Sequence, residues 1–116
     1  MEHLDRLRET FPDAARDIKI NLQNVLGQGA LAKEQAWGVA IACAHAARNP
    51  ALVTAVNADA RAEGIPDAVI EDARAAAVLM GMNNVFYRFR HRVGKDEYAL
   101  KPARMRMQRL AQVQTN

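Results

Sequence analysis

The stretch "AHAARNPALV", Ala44 to Val53, contains the clearest boundary between two helices in the chain. Proline disfavours the helical conformation at the residue before it, so one helix is predicted to end at Asn49. Asn49 can then cap the next helix, and Pro50 suits its first position, where no amide donor is needed. The stretch therefore predicts two helices joined by a tight turn.

Helical periodicity continues on both sides of this turn, and no alternating strand pattern appears. The sequence predicts an all-α, bundle-like fold of about six helices in a single domain over 1–113, with 114–116 as a frayed tail. The predicted helices are Glu2 to Glu9, one starting at Pro12, Leu31 to Arg48, Pro50 to Glu63, one starting at Pro66, and Pro102 to Val113. A loop is expected at "GQGA", Gly27 to Ala30, and a polar turn at Gly94 to Glu97.

The third and fifth predicted helices contain too few polar residues to lie on a surface, so we expect them to form the centre. A partner could bury them further. The second helix should turn Ala15, Ile18 and Leu22 inward. The buried side of the fifth helix should carry Val69, Ile70, Ala73, Ala76, Ala77 and Met80.

Length and composition limit what the chain can be. Its 116 residues suffice for one domain with one core. No apolar run approaches the ~18 residues that a membrane span needs. The N-terminus is charged from its second residue, which does not fit a secretory signal. A single cysteine cannot form an intramolecular disulfide, so we expect a cytoplasmic location.

Cys43 and His45 are the first candidates for chemistry. Side chains two residues apart on a helix point about 200° apart, so the contact that a thiolate–imidazole pair requires is not expected. The apolar neighbours of Cys43 predict a buried, inert cysteine. His45 should be partly exposed or hydrogen-bonded. No catalytic residue is assigned.

Other titratable residues give no clear site. The histidines His3, His45 and His91 are far apart and have no second ligand at helical spacing, so no metal site is expected. The carboxylate pairs Glu71-Asp72 and Asp96-Glu97 are interpreted as surface residues. "GQGA" lacks the Lys-Ser/Thr that a phosphate loop needs, and no cofactor is expected.

Charge is concentrated at the end of the chain. The segment from Arg88 to Asn116 contains eight Lys/Arg and two acidic residues, which leaves a net charge of −3 on the preceding residues. Such cations could contact phosphates, with Tyr87 and Phe89 available for stacking. Arginine and lysine stems also cover apolar surface. We favour a solvated surface and keep nucleic-acid binding as the less favoured alternative.

The stretch "LMGMNNVFYR", Leu79 to Arg88, places a glycine and two asparagines in or beside a strong helix. Glycine costs about 1 kcal/mol there relative to alanine. One interpretation is a break between two helices. The other is that Gly81 permits close helix approach while Asn83 or Asn84 hydrogen-bonds a neighbouring backbone.

Five stretches together resemble the alkyl hydroperoxidase D family of the carboxymuconolactone decarboxylase-like superfamily. They are "MGMNNVFYRFRH", "RDIKINLQNVL", "EQAWG", "RNP" and "PARMRM", and the resemblance runs in register from Met1 to about Met107. It implies half of a duplicated all-helical fold and a role in peroxide defence. Family members reduce alkyl hydroperoxides, are re-reduced through a lipoylated adaptor protein, and assemble as homotrimers.

The family's chemistry is carried by a Cys-x-x-Cys motif, with a nearby histidine and an upstream glutamate as a proton relay. A low-pKa thiolate attacks the peroxide, and the second thiol resolves the sulfenic acid as a disulfide. The resemblance places that motif beyond the region matching "PARMRM", so Cys43 matches neither redox cysteine. The chain is therefore expected to be the N-terminal half and inactive alone. A non-enzymatic oligomerisation module is the alternative.

Overall fold

The computed structural model describes residues 1–27 and 29–115 and contains no strand within them. The all-α prediction is confirmed. The helices are α1 Glu2–Glu9, α2 Arg16–Asn24, α3 Lys33–Ala47, α4 Pro50–Ala62, α5 Asp67–Val93 and α6 Asp96–Ala99, with 3-10 turns at Asp13–Ala15 and Gln108–Gln112. Gln28 of the predicted loop and Asn116 of the predicted tail lie outside the described residues.

The α3–α4 turn forms as its sequence predicts. Asn49 Oδ1 accepts a hydrogen bond from the Leu52 N–H at 3.1 Å, and Pro50 is the first residue of α4. Arg48 ends α3 in the left-handed region, with φ 57°, and its N–H bonds the His45 carbonyl at 3.1 Å. This reversal packs α4 against α3.

The α4–α5 turn also forms where Gly64 and Pro66 predict it. Gly64 adopts φ +79°, a conformation that residues with a Cβ rarely take. The Ile65 N–H then reaches back to the Ala60 carbonyl at 3.0 Å, which closes the helix end. Ile65 is buried beside this turn, so the turn is anchored in the core.

Helices α3 and α5 cross at the centre, as predicted. Small buried residues, Ala44 of α3 and Ala73 of α5, belong to this centre, while α1 packs against α4. The buried apolar residues are Leu4 of α1; Trp37, Ile41 and Ala44 of α3; Ala55, Val56 and Ala60 of α4; Ile65; and Val69, Ile70 and Ala73 of α5.

Asp59 of α4 is a buried carboxylate that holds α1 in place. It is 1% exposed and accepts hydrogen bonds from the backbone N–H groups of His3, at 3.1 Å, and Leu4, at 2.8 Å. First-turn N–H groups have no partner within their own helix, and negative charge is favourable at that end. No side chain of α1 itself supplies this cap. Asp59 therefore caps α1 from a neighbouring helix.

The second predicted helix is displaced. A 3-10 turn, Asp13–Ala15, follows Pro12, and α2 begins only at Arg16. Ile18 is 59% exposed rather than turned inward, whereas Leu22 packs against the core. Ile18 and Leu22 are four residues apart on the same side of α2, so the prediction for Ile18 is wrong because the core reaches the Leu22 end of the helix and not its first turn.

The predicted last helix is also wrong. Between Pro102 and Val113 the helical structure is limited to the 3-10 turn, and Arg104 has φ 51°, outside the α-helical region. The polar turn expected at Gly94 to Glu97 is shorter than predicted, because α6 begins within it at Asp96. Residues 108–115, called the C-terminal strap below, instead cross to α5 and end beside Asp72.

Helix α5 is continuous through "MGMNN", so the proposed break is wrong. The prediction that Gly81 lets another helix approach closely is also wrong within the described chain, because a Cβ placed there would meet no atom within 4 Å. The Asn83 Oδ1 atom is buried and bonds no described group. Met80 is 49% exposed rather than buried. The second half of α5 therefore extends past the core with little covering it.

Candidate functional site

Cys43 lies at the surface, which corrects the prediction that it is buried. The inner face of α3 is occupied by Trp37, Ile41 and Ala44. Cys43 points away from that face, and apolar sequence neighbours do not bury a residue on a side where nothing packs. The thiol therefore lies at the rim of two grooves, one on each side of α3.

The first groove runs between α3 and α5 and brings Cys43 and His45 to one surface. Met80, Gly81 and Asn84 line its opposite side. His45 is half-buried, and its Nε2 atom is buried without a hydrogen-bond partner among the described residues. No described hydrogen bond joins the thiol to the imidazole, so the structure holds no thiol–imidazole pair here.

The second groove lies beside α3 towards α1, α2 and α4 and has a volume of about 670 Å³. Its lining is mainly aliphatic, and the cation at its edge, Lys33, is paired with Glu63 at 2.9 Å. Such a groove can accept apolar side chains or an apolar ligand, and its described lining residues include Cys43 but no histidine or carboxylate that could act as a base. Its aliphatic lining includes Leu4, Leu22, Leu26, Val39, Leu52 and Val56.

The other sequence candidates are dispersed. His3 lies at the start of α1, and His91 is exposed near the end of α5. Within residues 1–27 and 29–115, no three His, Cys, Asp or Glu side chains could hold a metal ion together. Asp96 and Glu97 are exposed in the first turn of α6.

Asp72 departs from the surface interpretation of the Glu71-Asp72 pair. Its side chain is 9% exposed. It accepts hydrogen bonds from Arg109 at 2.6 Å, the Gln114 N–H at 2.8 Å, and the N–H and hydroxyl of Thr115 at 2.9 and 2.8 Å. One carboxylate thus fastens the C-terminal strap to α5, which sequence spacing alone could not reveal.

The pKa of Asp72 follows from these contacts. Burial raises the pKa of the carboxyl, but the hydrogen bonds from Thr115, Arg109 and the Gln114 N–H outweigh burial. The pKa therefore lies below its ordinary value of 3.8. The stabilisation is fully present above the unfolded-state pKa and is lost as pH falls through the lower folded-state pKa.

Acidification is accordingly expected to release the C-terminal strap. Amide exchange of Gln114 and Thr115, followed by NMR, should accelerate relative to α3 amides as pH falls below 3.8. Asp72→Asn should show fast exchange at neutral pH already, because it removes the charge that the strap amides contact. Glu71→Asn, one residue away and exposed, is the control. Strap protection that survives in Asp72→Asn would contradict this assignment.

Part of the basic segment serves the fold. Arg90 lies 5.8 and 5.6 Å from the ring centroids of Phe86 and Tyr87, and it donates to the Ala99 carbonyl at 2.5 Å. Lys101 lies 4.9 Å from the Tyr98 ring centroid. With Arg109 on Asp72, three of the eight cations are engaged within the chain. Arg88, Arg92 and Lys95 are exposed at the end of α5.

The helices and grooves define an all-helical protein of the bundle class with an apolar, cysteine-bearing face. None of the described helices is long and apolar enough to cross a membrane. No protein-family model matches the chain.

Similar proteins of known name indicate the family more specifically than the fold class does. Alkyl hydroperoxide reductase AhpD of Anaeromyxobacter sp. (strain Fw109-5) is 60% identical over 116 residues, which are 100% of this chain and 62% of that protein. AhpD of Anaeromyxobacter sp. (strain K) is 64% identical over 110 residues, 95% of this chain and 59% of that protein. AhpD of Solibacter usitatus (strain Ellin6076) is 47% identical over 108 residues, 93% of this chain and 60% of that protein.

The chain is therefore a homologue of the alkyl hydroperoxide reductase AhpD proteins, as its sequence resemblance indicated. It spans about three fifths of the length of these relatives.

Proposed function

We propose that this chain supplies helical scaffold to an AhpD-type system that reduces alkyl hydroperoxides with thiols. The observation that carries the proposal is the 60% identity to an alkyl hydroperoxide reductase over all 116 residues. The exposed apolar face of α3, which includes Val39 and Cys43, supports it. That face suits the role of a surface on which further helices pack.

The proposed chemistry needs two thiols. A thiolate attacks the peroxide oxygen and releases the alcohol, and the resulting sulfenic acid condenses with a second thiol, which releases water and leaves a disulfide. The 116-residue chain contains one cysteine. We therefore propose that the chain alone has no catalytic cycle, and that a lipoylated adaptor would serve only an assembly that also contains a cysteine pair. We also propose a cytoplasmic location, where a free thiol stays reduced.

A peroxide-consumption assay tests this proposal. With dihydrolipoamide as the reductant, the purified chain is expected to consume an alkyl hydroperoxide at the rate of the buffer control. Cys43→Ser should leave that rate unchanged, because no described hydrogen bond joins the Cys43 thiol to a base that would activate it for attack on the peroxide. Sustained turnover that disappears in Cys43→Ser would overturn the assignment.

A non-enzymatic assembly role is the second candidate, and the exposed apolar residues of α5 favour it. Val78 is 72% exposed and Val85 is 73% exposed. Apolar surface of this kind marks interaction sites or leads to aggregation. We therefore propose that the chain forms homo-oligomers. Both candidates can hold together, because a scaffold also has to assemble.

A further inference from the structure

Residues 88–107, called the basic limb below, carry cations that the described chain does not neutralise. The limb contains seven Lys/Arg and two acidic residues, which gives a net charge of +5. None of these seven cations forms an ion pair within residues 1–27 and 29–115, whereas six of the eight Lys/Arg that precede the limb do. The radius of gyration of the chain is 17.1 Å, against about 13 Å for a compact domain of similar length. The unpaired charge therefore lies on a part of an elongated molecule that extends past the core.

One side of α5 presents two of these cations beside an apolar side chain. Val85, Arg88 and Arg92 are spaced three and four residues apart, so they lie on one side of the helix. Val85 is 73% exposed, and both arginines are exposed. Within the part of the chain that the structure describes, neither guanidinium has a hydrogen bond, an ion pair or an aromatic ring as its partner. These three residues, called the limb stripe below, are therefore free to contact another molecule.

The aromatic rings beside the limb stripe are engaged inside the chain. Phe89 packs edge-on against Tyr98, with ring centroids 6.1 Å apart, and Tyr87 packs against Phe86 in the same way at 5.2 Å. Proteins that bind single-stranded nucleic acids offer rings on which bases stack. The rings here already pack on other side chains of the chain, which disfavours a nucleic-acid ligand.

A protein surface matches the limb stripe better than a phosphate backbone does. Asp96 and Glu97 are exposed directly after Lys95, and neither forms an ion pair within the described residues. Their charge repels a row of phosphates, whereas a protein can place neutral or basic groups opposite them. Val85 adds apolar contact, which protein interfaces combine with arginine. The stripe therefore favours an acidic protein partner.

The acidic residues of the chain itself do not form a surface that would receive the stripe of a second copy. Seven of the 13 carboxylate side chains are ion-paired within the described residues, and Asp59 is buried. The remaining five are spread over three parts of the chain, namely Asp13 and Asp17 near the start of α2, Glu34 on α3, and Asp96 and Glu97 on α6. A different protein therefore fits the limb stripe better than a second copy does.

We propose that the limb stripe binds an acidic helix of a different protein, with carboxylates opposite Arg88 and Arg92 and an apolar side chain opposite Val85. A helix is the matching element because its side chains three and four residues apart follow the same spacing as the stripe. The other cations of the basic limb add a long-range field that speeds the encounter with an acidic partner. This inference goes beyond the proposed scaffold role and does not rest on self-assembly.

Fluorescence anisotropy with three labelled probes tests the class of partner. The first probe is a helical peptide of Glu, Ala and Leu of about 20 residues, the second carries Gln in place of Leu, and the third is oligo-dT of about 20 nucleotides. We expect the wild-type chain to bind the first peptide most tightly, and about fivefold more tightly than the second, because Val85 contributes apolar contact. Failure to bind the first peptide, equal affinity for both peptides, or tighter binding of oligo-dT would overturn the proposal.

Paired substitutions locate the binding surface. Arg88→Gln with Arg92→Gln should weaken binding of the first peptide about tenfold, because each exposed ion pair contributes up to about fivefold. Arg16→Gln with Arg48→Gln is the matched control, since both arginines are exposed, lie outside the basic limb and form no ion pair within the described residues. The control should weaken binding less than about twofold. Val85→Gln should remove the preference for the first peptide over the second, and equal losses in the two double variants would contradict binding at the limb stripe.

The variants should fold like the wild-type chain, because every substituted side chain is exposed. Circular dichroism at 222 nm checks this. Light scattering on the same samples measures self-assembly separately from probe binding. An assembled chain that does not bind the first peptide overturns this inference and leaves the proposed self-assembly intact.

Discussion

Asp59→Asn is expected to lower the free energy of unfolding by about 3 kcal/mol. The substitution replaces one of the two acceptor oxygens of the carboxylate with an NH2 group, which can only donate. The carboxylate now receives two backbone N–H groups at 3.1 and 2.8 Å. An asparagine can accept through one oxygen, and its NH2 group would then face the other N–H. One buried donor would lose its partner.

Burial makes this effect large. Asp59 is 1% exposed and Leu4, one of its two partners, is also 1% exposed, so water cannot reach the Leu4 N–H without opening the contact between α1 and α4. Hydrogen bonds to charged groups are worth roughly 1.5–3 kcal/mol each. The helix-end charge effect adds to this loss in the same direction.

Urea unfolding followed by circular dichroism at 222 nm measures the change. Asp67→Asn is the matched control, because Asp67 is an acidic residue at a helix start whose side chain is 81% exposed. It should change stability by about 0.5 kcal/mol or less. Equal effects of the two substitutions would show that Asp59 does not hold α1.

The features that local sequence determines were the predictable ones. Asn49 and Pro50 act through their own backbone and side-chain geometry, so the α3–α4 turn follows from four adjacent residues. The central position of α3 and α5 follows equally well, because long apolar stretches have to be buried.

Tertiary contacts account for the features that sequence reasoning missed. Asp59 and Asp72 act on backbone groups 55 and 42 residues away, and no spacing rule links such positions. The exposure of Cys43 depends on the empty space beside α3, and neighbouring alanines carry no information about that space. Helix α5 continues through Gly81 because glycine and asparagine each disfavour a helix by only about 1 kcal/mol or less. The helical residues before and after Gly81 outweigh this small penalty.

Ile41→Ala is expected to destabilise the chain by about 3 kcal/mol through loss of core packing. Ile41 is 0% exposed on α3, the helix that crosses α5 at the centre of the core. Removing its outer methyl groups loses their transfer free energy and leaves a cavity. The surrounding helices can fill that cavity only by shifting the α3–α5 crossing, so little of the loss is recovered.

Val39→Ala is the matched control on the same helix. Val39 is also β-branched, but it is 54% exposed on the opposite side of α3, so truncation removes little buried surface. The gain in helix propensity on going from valine to alanine offsets part of the remaining loss, and we expect a net change of about 0.5 kcal/mol or less. Chemical denaturation of both variants under one condition gives the comparison.

The pair also tests whether the apolar outer face of α3 is covered in solution. If Val39→Ala lowers the free energy of unfolding as much as Ile41→Ala does, then a second molecule buries the outer face of α3. Cys43 would then be exposed only in the isolated chain. If Ile41→Ala alone is costly, the α3–α5 crossing is the core, and the thiol remains accessible at its rim.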